Sequence, residues 1–355
     1  MSSKKRESNI ELLRIVAMIM IIFSHLAIYG VIDVPVSNSY MIWVKGSHFN
    51  QLLLAIYTAG GDVGVGVFFI ITGYFLTDKY SNSLKSIKAI VGKVFFYTMF
   101  SCAFACIGKW CLGYSIKYSE IIAMLLLPIS SNKWWFITSY IVLLLMTPSL
   151  NRYFQSVNIK TKRIHICLLW FFWIIGGKIL GAEYFSITKA IWFYLIGGSI
   201  KEWKFKENSN YLIILFWGNI FMYAICTYVI GYSIAGNLFG NYIGDFAKLC
   251  RSSLFAPTAA IVIFIIFKNL NITNEIVNKI AKNCLGIYLF HESPVLRKLI
   301  WNVIGRVDEL YLGNAFALKS IFIVVIVFMI GCCVEQCREA LHVLIKKVIN
   351  KGKSI

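Results

Sequence analysis

Charge is what this sequence has least of. Only 14% of its 355 residues are Asp, Glu, Lys or Arg, where a soluble domain carries about 25%. Hydrophobic residues make up 59%, and long apolar runs recur from one end to the other. A soluble globular protein is excluded, and a polytopic membrane protein is predicted. Negative charge is scarcest: 16 Asp and Glu stand against 35 Lys and Arg, a net charge of +19. That excess does not point to nucleic acid. The basic residues fall in short clusters between apolar runs, as cytoplasmic loops do, and no soluble basic domain with interleaved aromatics occurs. There is no C-x-x-C and no paired Cys/His spacing, so no metal site is expected. Most of the ten cysteines lie inside apolar runs (Cys102, Cys106, Cys167, Cys226, Cys284, Cys332, Cys333) and read as buried apolar residues. The first apolar run is too long for a signal peptide and lacks a small-x-small cleavage site, so it reads as retained. Neither a low-complexity segment nor an internal repeat interrupts residues 1–355, which read as one domain.

The apolar periodicity predicts an all-α fold of about ten spanning helices, at 9–30, 62–78, 88–111, 133–150, 165–182, 188–203, 211–231, 250–267, 281–301 and 315–337. Lys and Arg concentrate in alternate connections. These include Lys4, Lys5 and Arg6, then Lys79, Lys85 and Lys88, then Arg152, Lys160, Lys162 and Arg163, and finally a basic tail from Arg338. The bias puts both termini on the cytoplasmic side. The tail over 338–355 is expected to be a separate amphipathic helix on the inner leaflet, with His342 at its surface.

Within the first span, Asn9 to Tyr29, lie Glu11, Arg14 and His25. Ionisable groups at that depth are costly and mark functional candidates. Arg14 and His25 are about 16 Å apart along a helix axis and roughly 20° from whole-turn register. Glu11 lies three residues before Arg14, on nearly the same face. One face thus offers a carboxylate and a guanidinium at the inner edge and an imidazole well inside. The competing reading is a snorkelling Arg14 paired with Glu11 and a packed His25.

Further along, Phe49 to Tyr57 reads as a short amphipathic stretch lying on the interface, with His48 a solvated bystander. Asp62 is expected at the outer end of the second span. Gly60, Gly64 and Gly73 give that span a face without bulk, serving either close helix packing or close approach of a ligand. No G-K-[ST] follows them, so they do not form a phosphate-binding loop. Residues 128–133 read as an interfacial or re-entrant segment. Trp134 and Trp135, taken alone, fit an aromatic belt. Pro148 fits a helix terminus, Lys178 and Lys189 fit snorkelling positions, His165 a solvated loop, and Pro257 a kink. In the ninth span His291 and Glu292 are adjacent and mid-membrane, so at least one should face the bundle interior. Alternatively the helix breaks at Ser293-Pro294 and both groups face a polar outer vestibule.

Four stretches carry a resemblance. N-I-E-L-L-R with Arg14-x10-His25, F-F-I-I-T-G-Y-F-L from Phe68, W-W-F-I-T-S-Y from Trp134 and G-I-Y-L-F-H from Gly286 resemble, in order, the motifs of the acyltransferase-3 family of integral-membrane O-acyltransferases. The resemblance covers nearly the whole chain. It implies transfer of an acetyl group from acetyl-CoA, a co-substrate, to a hydroxyl of a cell-surface polysaccharide or its lipid-linked sugar precursor. The location it implies is a multi-pass protein in a bacterial-type plasma membrane. His25, Arg14 and Glu11 become the catalytic candidates, Glu11 standing where many members have Asp, and Arg14 is also the candidate for binding the coenzyme. Trp135, Tyr288, His291 and Glu292 become candidates for the acceptor side. No fused extracytoplasmic domain is seen, so the chain resembles the stand-alone type. The partners expected are an acyl-CoA, a glycan acceptor and membrane lipids, with no nucleic acid.

The residue chemistry agrees with that assignment. A sugar hydroxyl is a poor nucleophile and needs a base, for which histidine is suited. Arginine binds phosphates bidentately, and basic loops attract an anionic coenzyme. Two other classes compete: a transporter or flippase of a polysaccharide precursor, and an assembly subunit whose polar residues only hold helices together. A transporter should show inverted-repeat symmetry in hydropathy.

Overall fold

A computed structural model describes residues 6–33, 39–79, 83–113, 118–126, 134–179, 182–202, 208–234 and 241–352. Among them every regular element is a helix. In chain order these are α1 Ser8–Ala27, α2 Ser39–Lys45, α3 His48–Leu76, α4 Ser83–Leu112, α5 Tyr118–Leu126, α6 Trp135–Ser156, α7 Ile159–Ile179 and α8 Ala182–Glu202. Then follow α9 Ser209–Ile234, α10 Asn241–Cys250, α11 Ala256–Lys268, α12 Glu275–Ala281, α13 Cys284–His291, α14 Val307–Tyr311 and α15 Phe316–Gly352. Single π-helical turns extend α1 over Ile28–Ile32, link α10 to α11 over Arg251–Phe255, and follow α13 over Leu299–Ile304. Among the described residues, six stretches are long and apolar enough to cross a membrane: Ser8–Ile32, His48–Leu76, Leu84–Leu112, Ser209–Ile234, Tyr242–Lys268 and Phe316–Asn350.

The helices α1 and α3 form the centre. The apolar side of α1 buries Leu13, Ala17, Ile21, Ile22 and Leu26, and it packs along α3, which packs in turn on α8, α9 and α11. The glycines of α3 make this possible. A Cβ on Gly60 would stand 2.1 Å from the carbonyl oxygen of Met20 in α1, and one on Gly73 would stand 1.9 Å from that of Tyr194 in α8. Of the two readings of these glycines, helix packing is the one observed.

Several boundaries differ from expectation, each for a local reason. Phe49 to Tyr57 does not lie apart on the interface; it is the first third of α3. Ser47 caps that helix by accepting from the Asn50 N–H at 3.2 Å, and Asn50 donates to the carbonyls of Tyr311 and Gly313. Asp62 is therefore mid-helix. Its Oδ1 meets Lys189 Nζ at 3.0 Å and its Oδ2 accepts from Tyr223 at 2.8 Å, so Lys189 is ion-paired inside the bundle and does not snorkel. Pro148 does not end α6, which runs on to Ser156. Proline removes one N–H and costs a helix locally, but Asn151 beyond it anchors the last turns by donating to the carbonyls of Leu76 and Lys79. His165 lies within α7 and is bonded to Tyr153. His48 is exposed, with Nδ1 3.1 Å from the Tyr228 hydroxyl. Trp134 is buried in the core, not at a surface belt. Pro257 sits in the first turn of α11, just past a π turn.

The basic tail is no separate helix, because α15 continues unbroken through Arg338 and His342 to Gly352. Glu335 fixes its middle. It is fully buried, accepts from Lys93 at 2.6 Å and Tyr97 at 2.9 Å, and pairs with Arg338 at 2.7 Å. Of the cysteines expected to be buried, Cys102, Cys226, Cys284 and Cys332 are; Cys106, Cys167 and Cys333 face outward, on the sides of helices that carry exposed apolar neighbours. Residues 128–133, and Lys4, Lys5 and the side chain of Lys178, lie outside the described residues.

Candidate active site

Two short helices replace the expected ninth span. The helix α13 ends at His291, and Glu292, Ser293 and Pro294 turn the chain before the π turn at Leu299. Proline disfavours helix in the residue before it, so the break falls where Ser293-Pro294 places it. The break carries His291, Glu292 and Ser293 to the buried face of α1, with exposures of 0%, 2% and 0%.

There the first helix meets them. His25 Nδ1 lies 3.1 Å from Glu292 Oε2, at ion-pair distance but off the line of a hydrogen bond, and neither atom has a hydrogen-bond partner among the described residues. The other carboxylate oxygen accepts from the Tyr29 hydroxyl at 2.8 Å, and Arg297 Nη1 stands 4.0 Å from it. The Arg297 guanidinium lies over the Tyr29 ring, 4.6 Å from its centroid. The rings of His25 and His291 are 5.0 Å apart. His291 Nδ1 is 2.6 Å from the carbonyl of Ile287. A carbonyl can only accept, so Nδ1 carries a proton and a neutral ring turns a bare Nε2 into the cluster. That Nε2 and Ser293 Oγ have no hydrogen-bond partner among the described residues. Buried polar atoms are nearly always satisfied, so unpartnered atoms gathered in one place suit a polar ligand or water.

Toward the other end of α1 is a cavity of about 450 Å³, a volume in the range of small-molecule sites. Arg14, Met18 and Ile21 of α1 line it, and His25 is the next residue on that helical stripe. Its basic wall is Arg6, Arg14, Lys93 and Lys282, against one lining carboxylate, Glu339. Glu11 stands beside it, with Oε1 3.7 Å from Arg6 and Oε2 3.9 Å from Arg14 Nε. The inner wall includes Phe136, Tyr140 and Tyr288. Tyr288 packs edge-on against Phe136 at 5.3 Å and against His291 at 6.1 Å, so it joins the cavity to the His25–Glu292 cluster.

The candidates from sequence therefore fall into place unequally. His25, His291 and Glu292 are brought together, Arg14 and Tyr288 line the cavity, and Glu11 flanks Arg14. Trp135 is half-buried against Phe136 and does not line the cavity; Phe136 and Tyr140 of the same motif do. Sequence reasoning missed Tyr29 and Arg297. Tyr29 could have been found, since it lies four residues after His25 on the same face. Arg297 follows a proline break whose direction no periodicity gives. Of the basic wall residues, Lys93 lies in α4 and Lys282 in the turn after α12, and they have no shared sequence signal.

A family model described as an acyltransferase domain matches residues 7–334, nearly the whole chain. No curated protein and no solved structure matches it.

Proposed function

Because the chain belongs to the acyltransferase-3 family and is a multi-pass membrane acyltransferase, we propose that it moves an acetyl group from acetyl-CoA to a hydroxyl of a cell-surface polysaccharide or its lipid-linked precursor. The observation that carries this reading is the cavity lined by Arg6, Arg14, Lys93 and Lys282 and by Tyr288, whose ring meets His291 beside the His25–Glu292 pair. Arg14, with Arg6, Lys93 and Lys282, would hold the coenzyme's phosphates at the cytoplasmic side through charge-assisted bonds. Both termini lie on that side in this reading, as the Lys and Arg bias supports, and the helices cross a bacterial-type plasma membrane several times. Glu11 would orient Arg14. The thioester would extend past Phe136 and Tyr288 toward His25.

Glu292 would hold the His25 Nδ1 proton and turn Nε2 toward the acceptor, the logic of an oriented base. The 3.1 Å separation is already within hydrogen-bond reach, and such bonds often tighten when substrate binds. Nε2 then takes the hydroxyl proton as the oxygen attacks the thioester carbonyl. The carbon–sulfur bond breaks, and the imidazolium returns its proton to the departing thiolate. Arg297 and Tyr29 would hold Glu292 in place. His291, with its bare Nε2, and Ser293 would meet the acceptor's hydroxyls.

The test is transfer itself. Purified protein in nanodiscs, given acetyl-CoA labelled in the acetyl group and a saccharide acceptor, should yield labelled ester with release of free coenzyme thiol. A protein that moves the acceptor across a vesicle membrane and forms no ester would overturn the reading in favour of transport.

A further inference from the structure

An apolar groove runs between α4 and α15, and its Phe96 and Cys337 end lies within a helical turn of Lys93 and Glu339, which line the basic cavity. Its first part, of about 540 Å³, lies between Phe100 and Phe104 of α4, the chain from Phe290 to Gly305, and Phe322, Ile326 and Ile330 of α15. A second part, of about 350 Å³, shares Phe100, Ile330 and Val334 with the first and continues to Cys337. Along α15 the lining thus extends from Lys319 to Cys337, roughly 27 Å of helix at 1.5 Å per residue.

That length matters. The hydrocarbon core of a bilayer is about 30 Å thick, so one leaflet offers only about 15 Å. A phospholipid acyl chain, confined to its own leaflet, would fill about half of the groove. Two such chains, one from each leaflet, would meet within it, whereas a single chain that fills it must be longer than one leaflet's own.

The ends differ in charge. Among the described residues lining the two parts, Lys319 is the one charged side chain, and no carboxylate lines either. Lys319 is exposed, at the end next to Gly305. The neighbouring Ser320 bonds the Tyr57 hydroxyl at 2.9 Å, and the Tyr57 ring packs 4.5 Å from Phe23, two residues before His25. Lys319 therefore stands at the depth of the His25 end of α1. Phe290 and Leu296, which line the groove, bracket His291, Glu292 and Ser293, so one turn of chain has the groove on one side and the reactive cluster on the other.

We propose that this groove holds the isoprenoid chain of a polyprenyl-phosphate-linked saccharide, with the lipid phosphate on Lys319 and the sugar presented to His25 and Glu292. This rests on the acyl-transfer reading for the role of the sugar. The long chain accounts for the groove's length, the phosphate for its lone cation, and the adjacency for how a membrane-bound acceptor reaches a buried base.

The experiment uses the full-length protein in phosphatidylcholine nanodiscs and a long-chain polyprenyl phosphate bearing a photoreactive group, with labelled peptides mapped after irradiation. Labels should concentrate on the α4 and α15 groove residues. Excess unlabelled polyprenyl phosphate should remove them, and phosphatidylglycerol should not. Lys319→Glu, at an exposed position, should reduce labelling by the phosphate about tenfold, in line with a charge-assisted contact, and leave labelling by the corresponding uncharged polyprenol unchanged. Ile326→Trp with Ile330→Trp should reduce both, in protein shown by thermal unfolding to be folded. Equal competition by phosphatidylglycerol would identify ordinary boundary lipid and overturn the proposal, as would labels spread over all lipid-facing helices or full labelling of the filled groove. Labelling is read without turnover. A protein labelled in the groove that transfers no acyl group would refute the function alone. One that transfers but is not labelled there would refute the groove alone.

Discussion

His25 in the first helix and Glu292 just past the end of α13 bring an imidazole nitrogen and a carboxylate oxygen to 3.1 Å in the buried centre of the bundle. Both the first helix and the break at Pro294 are needed to make this pair, and the Tyr29 hydroxyl holds the other carboxylate oxygen at 2.8 Å. A carboxylate buried to 2% exposure is retained at a cost, and its neighbours are an imidazole, a phenol and a guanidinium.

If Glu292 orients His25, then Glu292→Gln should lower kcat by about 10²-fold or more, the scale of losing general-base assistance, while the KM for acetyl-CoA stays near wild type. Tyr29→Phe removes only one bond to the carboxylate and should cost about tenfold. Steady-state kinetics on purified variants checks both. A Glu292→Gln enzyme with wild-type kcat would remove the carboxylate from the mechanism.

Arg14 should act in binding. Arg14→Ala should weaken coenzyme affinity by about 10- to 100-fold, the worth of a charge-assisted contact, with the protein still inserted and folded. Isothermal titration with coenzyme A checks this directly, and equal affinities would assign Arg14 another role.

The central glycines predict a stability effect with no catalytic component. Gly60→Val would drive a side chain into the Met20 carbonyl, where even a Cβ would sit at 2.1 Å. Overpacking of this kind costs about 1–3 kcal/mol or more, so the melting temperature in detergent should fall. An unchanged melting curve would mean that α1 and α3 are not packed as described.

Much of this was legible in the sequence, and the reasons for the rest are physical. The stripe Glu11, Arg14, His25 follows from helical repeat alone, and the cavity lies along it. The closeness of His291 and Glu292 to His25 could only be guessed from depth, because pairing between distant helices leaves no periodic trace. Helix ends went astray where a tertiary bond overrode a local signal. Pro148 reads as a stop, yet Asn151 anchors the helix beyond it. Phe49 to Tyr57 reads as an interfacial piece, yet Ser47 caps it as the start of α3. Lys189 reads as snorkelling because its partner, Asp62, lies on another helix and far away in sequence.

Topology supplies a further test. Reporter fusions after Lys160, in the exposed start of α7, should report the cytoplasmic side, and fusions after Lys117, which lies outside the described residues, the opposite side. Reversal at both points would move Arg14 and the basic cavity to the outer face, and reversal at one alone would refute the proposed topology.

The central claim is that His25 is the base, and single-turnover acyl transfer by His25→Asn tests it most directly. Asparagine is close in size and still forms hydrogen bonds, so it preserves packing against Glu292 and His291. With coenzyme binding and melting temperature verified as unchanged, the account predicts that the rate of ester formation falls by about 10²–10⁴-fold. Ester formation by His25→Asn at the wild-type rate would contradict it, leaving His25 a packing residue and the proton transfer to another group.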